Sequence, residues 1–391
     1  MNTYPNLTVL HYVPSWLPQT QTWIYRQVTE LQTLGVDAHV VCSRRENPNH
    51  FSLPNIHCLA DEPRWTQITD RALRLFRPHY HLKYVVTTGK NIGAQIVHTH
   101  FGNTGWGNSG AVQKLGAKHV VTFYGLDVNK LPAHSATWRR RYRQLFDDVD
   151  LILCEGSHMA QCIVALGCPA NKVSVQHLGV DIQHIDFVPR YWEPGQPFKA
   201  LIAASFREKK GIPYAIKSLG ILNQRIPVEV TIIGDADTDR SSQREKRIIL
   251  DALAQSGLAS KARLLGYQPH EVLFHEAYQH HVFVSPSVTA SDGDTEGGAP
   301  VTIIEMAASG MPIVSTMHCD IPEVIHHGVT GLLADERNVE QLHDHLWRLV
   351  QNPDQWATML AAGRDHVERE YDAKTQSKRL AALYQSLVDK P

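Results

Sequence analysis

The sequence is poor in the features that would take it out of the ordinary globular class. Its 391 residues hold six cysteines (Cys42, Cys58, Cys154, Cys162, Cys168, Cys319), and no two of them form a C-x-x-C pair. That spacing excludes zinc-ribbon and thioredoxin-type motifs, and the thiols read as reduced core residues of a cytoplasmic protein. No apolar run nears the ~20 residues that cross a bilayer. The opening MNTYPNLTVLHYVP lacks the charged-then-apolar plan of a secretory leader. Net charge is scarce as well: 38 basic side chains face 39 acidic ones, which excludes a general nucleic-acid binder. No G-x-G-x-x-G follows the first strand-like run of either half, so a dinucleotide-dependent dehydrogenase would lack its pyrophosphate turn. Histidine is abundant, at 23 residues, but no H-E-x-x-H occurs. His98 and His100 are a tight pair that ends a strand-like run. They read as polar strand-end residues, and no bound metal is expected.

The composition that is present, 43% hydrophobic and 20% charged, suits a soluble chain with two cores. Charge divides unevenly: 17 basic against 12 acidic residues in 1–185, then 21 against 27. The break lies beside DFVPRYWEPGQPF (186–198), whose prolines and glycine read as a linker. Each half alternates short β-branched runs with helically spaced segments. In the first these are 7–13, 38–43, 96–101, 119–125 and 151–156; in the second, 199–205, 228–235, 262–266, 281–287 and 311–316. Continuous apolar strands separated by helices predict parallel sheets covered on both faces. The expectation is α/β: two doubly wound, Rossmann-like domains, 1–185 and 199–370, facing a cleft. Ligands should bind beyond the carboxyl ends of their strands. A terminal helix over 371–391 carries an apolar face of Leu380, Leu383, Tyr384 and Leu387.

Pattern alone leaves a transferase, a dehydrogenase and a sugar-binding protein open. The stretch SPSVTASDGDTEGGAPVTIIEMAASGMPIVST (285–316) narrows the choice. A Gly-Gly-Ala-Pro turn runs straight into a helix, where exposed backbone N–H groups and the positive dipole end suit a diphosphate. Glu296 precedes the turn and Glu305 lies in the helix, and both can accept hydrogen bonds from sugar and ribose hydroxyls. Taken singly, either acid would more often be a solvated carboxylate.

This stretch resembles the donor-binding signature of the retaining glycosyltransferases of family 4, which have the GT-B fold. The resemblance extends over nearly the whole chain through LQTLGVDAHVVC, THFG, VTFYGLD, HLGVD, REKKG, TIIGD, LLGY, FVSPS and GVTGLL, in the family's order. The Gln19–Trp23 segment resembles the subgroup of exopolysaccharide and lipopolysaccharide assembly. The family's fold implies that the terminal helix packs back on the N-terminal domain. Its roles, carried to matching positions, imply that Glu305 binds ribose hydroxyls and Glu296 the transferred sugar. They imply that the backbone of Gly297, Gly298, Ala299 and Pro300 faces sugar and diphosphate, that Lys210 binds phosphate, and that Tyr267 lies at the base. His100, Tyr124 and Asp127 are expected to contact sugar or acceptor.

Three departures stand out. Eight residues separate Glu296 from Glu305, against seven in the family pattern. The family's arginine five residues before the lysine is Ser205 here, and Arg207 is expected to supply that charge. The histidine often seen after Thr-Phe is Tyr124, which donates a hydrogen bond but does no acid–base work near neutral pH.

The resemblance implies transfer of a sugar from a UDP- or GDP-linked donor to a saccharide or lipid-linked saccharide. It implies no cofactor and no metal, with Lys210, Arg207 and the helix N-terminus stabilising the leaving diphosphate. The rivals are a nucleotide-sugar-binding protein without activity and another GT-B enzyme, an epimerase or a phosphorylase. Two basic, aromatic segments, RALRLFRPHYHLKY (71–84) and WRRRYRQLF (138–146), leave two readings open. One is an interfacial helix on anionic lipid at the inner face of the plasma membrane; the other is a solvated basic helix.

Overall fold

The computed structural model describes residues 4, 7–17, 21–47, 51–76 and 82–389. The chain forms two compact units. One takes in the residues up to Asp181 together with those from Asp372 onward, and the other is Ile182–Tyr371.

The first unit is built on β1 (Thr8–Tyr12), β2 (Ser15–Trp16), β3 (Asp37–Cys42), β4 (Arg44–Arg45), β5 (Ile56–Cys58), β6 (Ile96–His100), β7 (Lys118–Thr122), β8 (Leu151–Cys154) and β9 (Val173–Val175). Seven of these form one sheet in the order β5-β3-β1-β6-β7-β8-β9, and every pairing in it is parallel. Strands β2 and β4 make a separate two-residue ladder. All residues of β6 and of β8 are buried, as a sheet covered on both faces requires.

The second unit contains β10 (Phe198–Ala203), β11 (Val228–Ile233), β12 (Ala262–Gly266), β13 (Val282–Ser285), β14 (Ile313–Thr316) and β15 (Leu332–Ala334). They form a second all-parallel sheet, in the order β12-β11-β10-β13-β14-β15. Its core joins Phe198, Ile202, Val230 and Ile232 of the sheet to Ile216 and Leu219 of the helix Ile212–Leu222 and Leu346 of the helix Val339–Gln351. In this sheet the winding reverses between β10 and β13, and in such folds the crevice at the carboxyl ends of the two strands flanking the reversal is where ligands bind. The ten strand-like runs read from the sequence are all strands here. The short β5, β9 and β15 and the two-residue ladder carry too few residues to show a period.

Helix Ala373–Val388 belongs to the first unit. Its Leu380, Ala381, Tyr384 and Leu387 enter the core around Val28, Leu31 and Val120. Each large side chain of that set contributes about 1.5–3 kcal/mol by leaving water. The helix starts where Asp372 caps it by accepting from the Thr375 N–H at 2.9 Å. There the Ala373 N–H donates to the Val180 carbonyl at 2.9 Å. The approach requires Gly179, because a Cβ there would stand 2.6 Å from the Ala373 Cα.

The stretch 186–198, read as a linker, lies within the second unit and packs on it. The Val188 and Arg190 N–H groups donate to the Ser309 and Gly310 carbonyls at 3.1 and 2.9 Å. The Arg190 guanidinium is buried over the Tyr278 ring, at 4.7 Å, and donates to the Ala277 carbonyl. The change of unit therefore falls at Asp181/Ile182. Proline and glycine mark irregular backbone, and irregular backbone need not be free.

The helix Ala136–Asp148 corrects part of the interfacial reading. Tyr142, Leu145 and Phe146 point into the unit's own core beside Phe123 and Met159, and the Arg141 guanidinium sits 4.2 Å from the Trp106 ring centroid. The apolar face offered for lipid is therefore spent inside, leaving Arg139, Arg140 and Arg143 exposed. Of the segment 71–84, residues 77–81 fall outside the described residues, and the rest belongs to the helices Arg64–Phe76 and Leu82–Ile92. Among the described residues, no helix is long and apolar enough to cross a membrane.

Candidate active site

Strand β10 ends at Ala203 and leads into the turn Glu208–Lys210 and then Gly211. Gly211 has φ +62°, and a Cβ on it would collide with the carbonyl oxygen of Pro286, just after β13. Only glycine allows this approach, which brings the two loops flanking the winding reversal together. Lys210 thereby reaches the Glu296 carboxylate, Nζ to Oε2 2.8 Å, while Ser287 donates to Oε1 at 2.8 Å. Lys209 holds the same loop through the Thr295 carbonyl at 2.8 Å and Asp294 at 3.3 Å. The Glu296 side chain is only 6% exposed. Burial alone would raise its pKa, but the Lys210 and Lys209 ammonium groups and the Lys210 and Ser287 hydrogen bonds outweigh that, holding the carboxyl below its ordinary value.

Gly297 follows at φ +80°, its N–H donating to Thr295 Oγ1 at 3.2 Å. Gly298 and Ala299 complete the turn, and Pro300 precedes the helix Val301–Ala308. One turn in, buried Glu305 shares a 2.8 Å hydrogen bond between its Oε1 and Nε2 of His270, the first residue of the helix His270–Ala277. Arg207 and Tyr267 meet elsewhere, around Asp237. An Arg207 guanidinium nitrogen lies 2.6 Å from Oδ2, and the Tyr267 hydroxyl donates to Oδ1 at 3.2 Å. Burial and the Asp237 charge push the Tyr267 hydroxyl up to about 12.

The residues expected to serve the site thus fall into three groups within one unit: Glu296 with Lys210, Glu305 with His270, and Arg207 with Tyr267. Sequence reasoning missed His270, Ser287, Lys209 and His318. Lys209 and Ser287 lie inside the quoted REKKG and FVSPS stretches without a role attached to them, whereas His270 and His318 are lone polar residues that only the crossing of loops draws in.

The first unit holds the other three candidates, Asp127, His100 and Tyr124. Asp127 sits in a π-helical turn, Leu126–Lys130, and both its oxygens are used. Oδ2 accepts from the Gly102 N–H at the start of helix Gly102–Leu115, and Oδ1 from the Tyr124 N–H at 2.8 Å. It ties two loops together rather than presenting a free carboxylate, and burial pushes it up to about 7 against those backbone donors. His100 is likewise buried, its Nδ1 2.8 Å from the Tyr124 hydroxyl. Tyr124 itself lines a groove with Trp23, Gln27, Gln176 and His177. In the same unit His11, His98 and His100 bring ring nitrogens within 4.8 Å of one another, the one such group among the described residues that could meet a metal ion. The His98 and His100 rings are stacked at 4.4 Å, and His98 bonds to the hydroxyls of Tyr384 and Thr122 at 2.6 and 2.7 Å. Burial lowers all three pKa values, so the rings are neutral.

Two doubly wound units, with a Glu–Gly-Gly turn and a second Glu at the winding reversal of the second, fit the glycosyltransferase resemblance of the sequence. Residues 197–352 match the family described as glycosyl transferases group 1, and residues 20–184 match glycosyltransferase family 4. The chain belongs to this family. It is 32% identical over 310 residues to the amylovoran biosynthesis glycosyltransferase AmsK of Erwinia amylovora, covering 78% of this chain and 73% of that protein. It is 30% identical over 303 residues to the colanic acid biosynthesis glycosyltransferase WcaL of Escherichia coli, whose name carries the qualifier putative, covering 75% and 71%. Among solved structures, Anabaena HepE in complex with UDP and glucose superposes with TM-score 0.77 at 16% identity, over 97% of this chain and all of that one. Sucrose-phosphate synthase of Thermosynechococcus elongatus gives 0.75 at 17%, over 98% and 99%. These are GT-B proteins, and this chain shares their fold.

Proposed function

We propose that the chain moves a sugar from a nucleoside-diphosphate sugar to a saccharide or lipid-linked saccharide, with retention and without a metal, in exopolysaccharide synthesis at the cytoplasmic side of the membrane. The observation that carries this reading is the lysine-held Glu296 and the buried Glu305 on either side of the Gly-Gly-Ala-Pro turn. The names of AmsK and WcaL support the polysaccharide context. HepE, bound to UDP and glucose, supports a UDP-sugar. A mannosyltransferase of Corynebacterium glutamicum, named as GDP-mannose-dependent and 24% identical over 321 residues, keeps GDP beside it.

In this reading Glu305 accepts from the ribose hydroxyls and Glu296 from the sugar. The backbone of Gly297–Pro300 faces the diphosphate, Tyr267 packs at the base, and Lys210 and Arg207 supply positive charge. The bond between the anomeric carbon and the phosphate oxygen breaks as the acceptor oxygen bonds to that carbon from the same face. The acceptor's proton passes to the departing phosphate oxygen. Charge accumulates on the diphosphate, so fixed cations there lower the barrier. The groove lined by Tyr124, Trp23 and Gln176 is the acceptor's place.

The test is thermal shift with UDP, GDP and ADP and their sugars, on wild type and Glu305→Ala, followed by detection of glycosylated product. A nucleotide at one hundred times its Kd stabilises by about 2.7 kcal/mol. One nucleotide should shift the wild type and not the variant. Absence of any shift sinks the donor site, and binding without product leaves a nucleotide-sugar-binding protein.

A further inference from the structure

Three neighbouring strands of the second sheet, β13, β14 and β15, send their following loops to one place. The loop after β13 carries Thr289 to Glu296; that after β14 carries His318 and Cys319; that after β15 carries Glu336. His318 is 1% exposed. Its Nε2 lies 3.2 Å from the backbone nitrogen of Glu296, and its Nδ1 2.6 Å from Oε1 of Glu336. A backbone N–H can only donate, so Nε2 must be the unprotonated nitrogen, and the ring proton sits on Nδ1, facing the carboxylate.

Glu336 has a second task. It accepts from the Thr289 N–H at 2.8 Å and the Thr289 hydroxyl at 3.2 Å. Burial would raise its carboxyl, but the Thr289 and His318 hydrogen bonds outweigh it, so the group stays ionised and the histidine tautomer stays fixed. One carboxylate therefore holds the start of the 289–296 loop directly and its end through His318. The middle is pinned by Glu208, which accepts from the Ser291 N–H at 2.9 Å and hydroxyl at 2.6 Å. Lys210 and Ser287 hold the Glu296 side chain, but only His318 holds its backbone nitrogen among the bonds described.

We propose that His318, fixed in its Nδ1–H tautomer by Glu336, is a positioning residue that aims the Glu296 carboxylate at the sugar of the donor. The inference rests on the reading of Glu296 as a sugar contact. Glu305 bonds to His270 on a different element, so His318 acts on the sugar end of the donor and not on the nucleotide end.

The test compares wild type, His318→Leu and His318→Gln in the full chain. The glutamine oxygen can replace Nε2 as acceptor; leucine cannot. Hydrogen exchange at the Glu296 amide should quicken in the leucine variant and return toward wild type in the glutamine one, while amides of the helix Val301–Ala308 stay unchanged. With UDP-glucose and GDP-mannose as donors, kcat/KM should fall about tenfold or more in His318→Leu and recover in His318→Gln. Affinity for UDP or GDP alone should stay within about twofold of wild type. Unchanged exchange in the leucine variant, an equal loss of nucleotide affinity and turnover, or a glutamine variant no better than leucine would each overturn the inference. If wild type turns over neither donor, the proposed function is what suffers, and the exchange measurement still decides the role of His318.

Discussion

Replacing Lys210 by methionine keeps most of the side chain's length and removes its charge. What remains is a carboxylate, 6% exposed, that has lost a 2.8 Å charge-assisted bond. Removing one partner of a buried pair costs about 3–5 kcal/mol when nothing replaces it. Here Lys209 still contributes its field and Ser287 its hydroxyl, and Lys210 is 19% exposed, so the expected loss is about 2 kcal/mol. For a unit of this size that lowers Tm by about 4–8 °C. The sign with pH follows from Glu296. Its folded pKa lies below the unfolded value of ~4.3, so it contributes stability above that value and loses it as pH falls through the folded pKa. In the variant only Lys209 and Ser287 oppose burial and the folded pKa rises, so the difference between the two proteins should be full at pH 7, begin to shrink as pH falls through the variant's raised folded pKa, and be gone below the lowered folded pKa of the wild type. Thermal unfolding of wild type, Lys210→Met, Glu296→Gln and the double variant measures it. Glu296→Gln should suppress most of the Lys210→Met loss, since it removes the stranded charge. Additive losses, or a Lys210→Met protein as stable as wild type at pH 7, would refute the argument.

Gly211→Ala should destabilise by more than 2 kcal/mol, about what the positive φ and the collision with Pro286 together demand. Unfolding in urea would show it as a lower midpoint at unchanged slope. Asp127→Ala should cost about 2–3 kcal/mol, because the Gly102 and Tyr124 N–H groups lose their shared acceptor. Calorimetry should place that loss in the first unit, with nucleotide affinity unchanged; a loss of nucleotide affinity would contradict the tying role.

The reach of the sequence can be judged on particular residues. A strand such as LILC announces itself because a parallel strand covered on both faces is apolar throughout, IVHTH does so through Ile96, Val97 and Thr99 despite its two buried histidines, and the Gly-Gly-Ala-Pro turn announces a helix N-terminus. Glu296, Lys210 and Glu305 stand out in the sequence through their order within stretches that resemble the family's, and the fold places Lys210 against Glu296. The alternation of strand and helix along the chain was therefore enough for two doubly wound units, and the terminal helix was visible in the spacing of Leu380, Tyr384 and Leu387. Tertiary structure decided the rest. Val188 and Arg190 turn an apparent linker into part of the second unit, since their backbone N–H groups find carbonyls that lie about 120 residues later in the chain. Tyr142 and Leu145 face inward rather than toward lipid, because an amphipathic pattern does not say what lies opposite the apolar face. Asp127, a candidate contact by position, proves to be an acceptor for two backbone groups. His318, His270 and Glu336 acquire meaning only when separate loops converge at the carboxyl edge of one sheet. A sequence records local periodicity and the residues of each loop; hydrogen bonds between distant loops depend on strand order, and only the folded sheet sets that order.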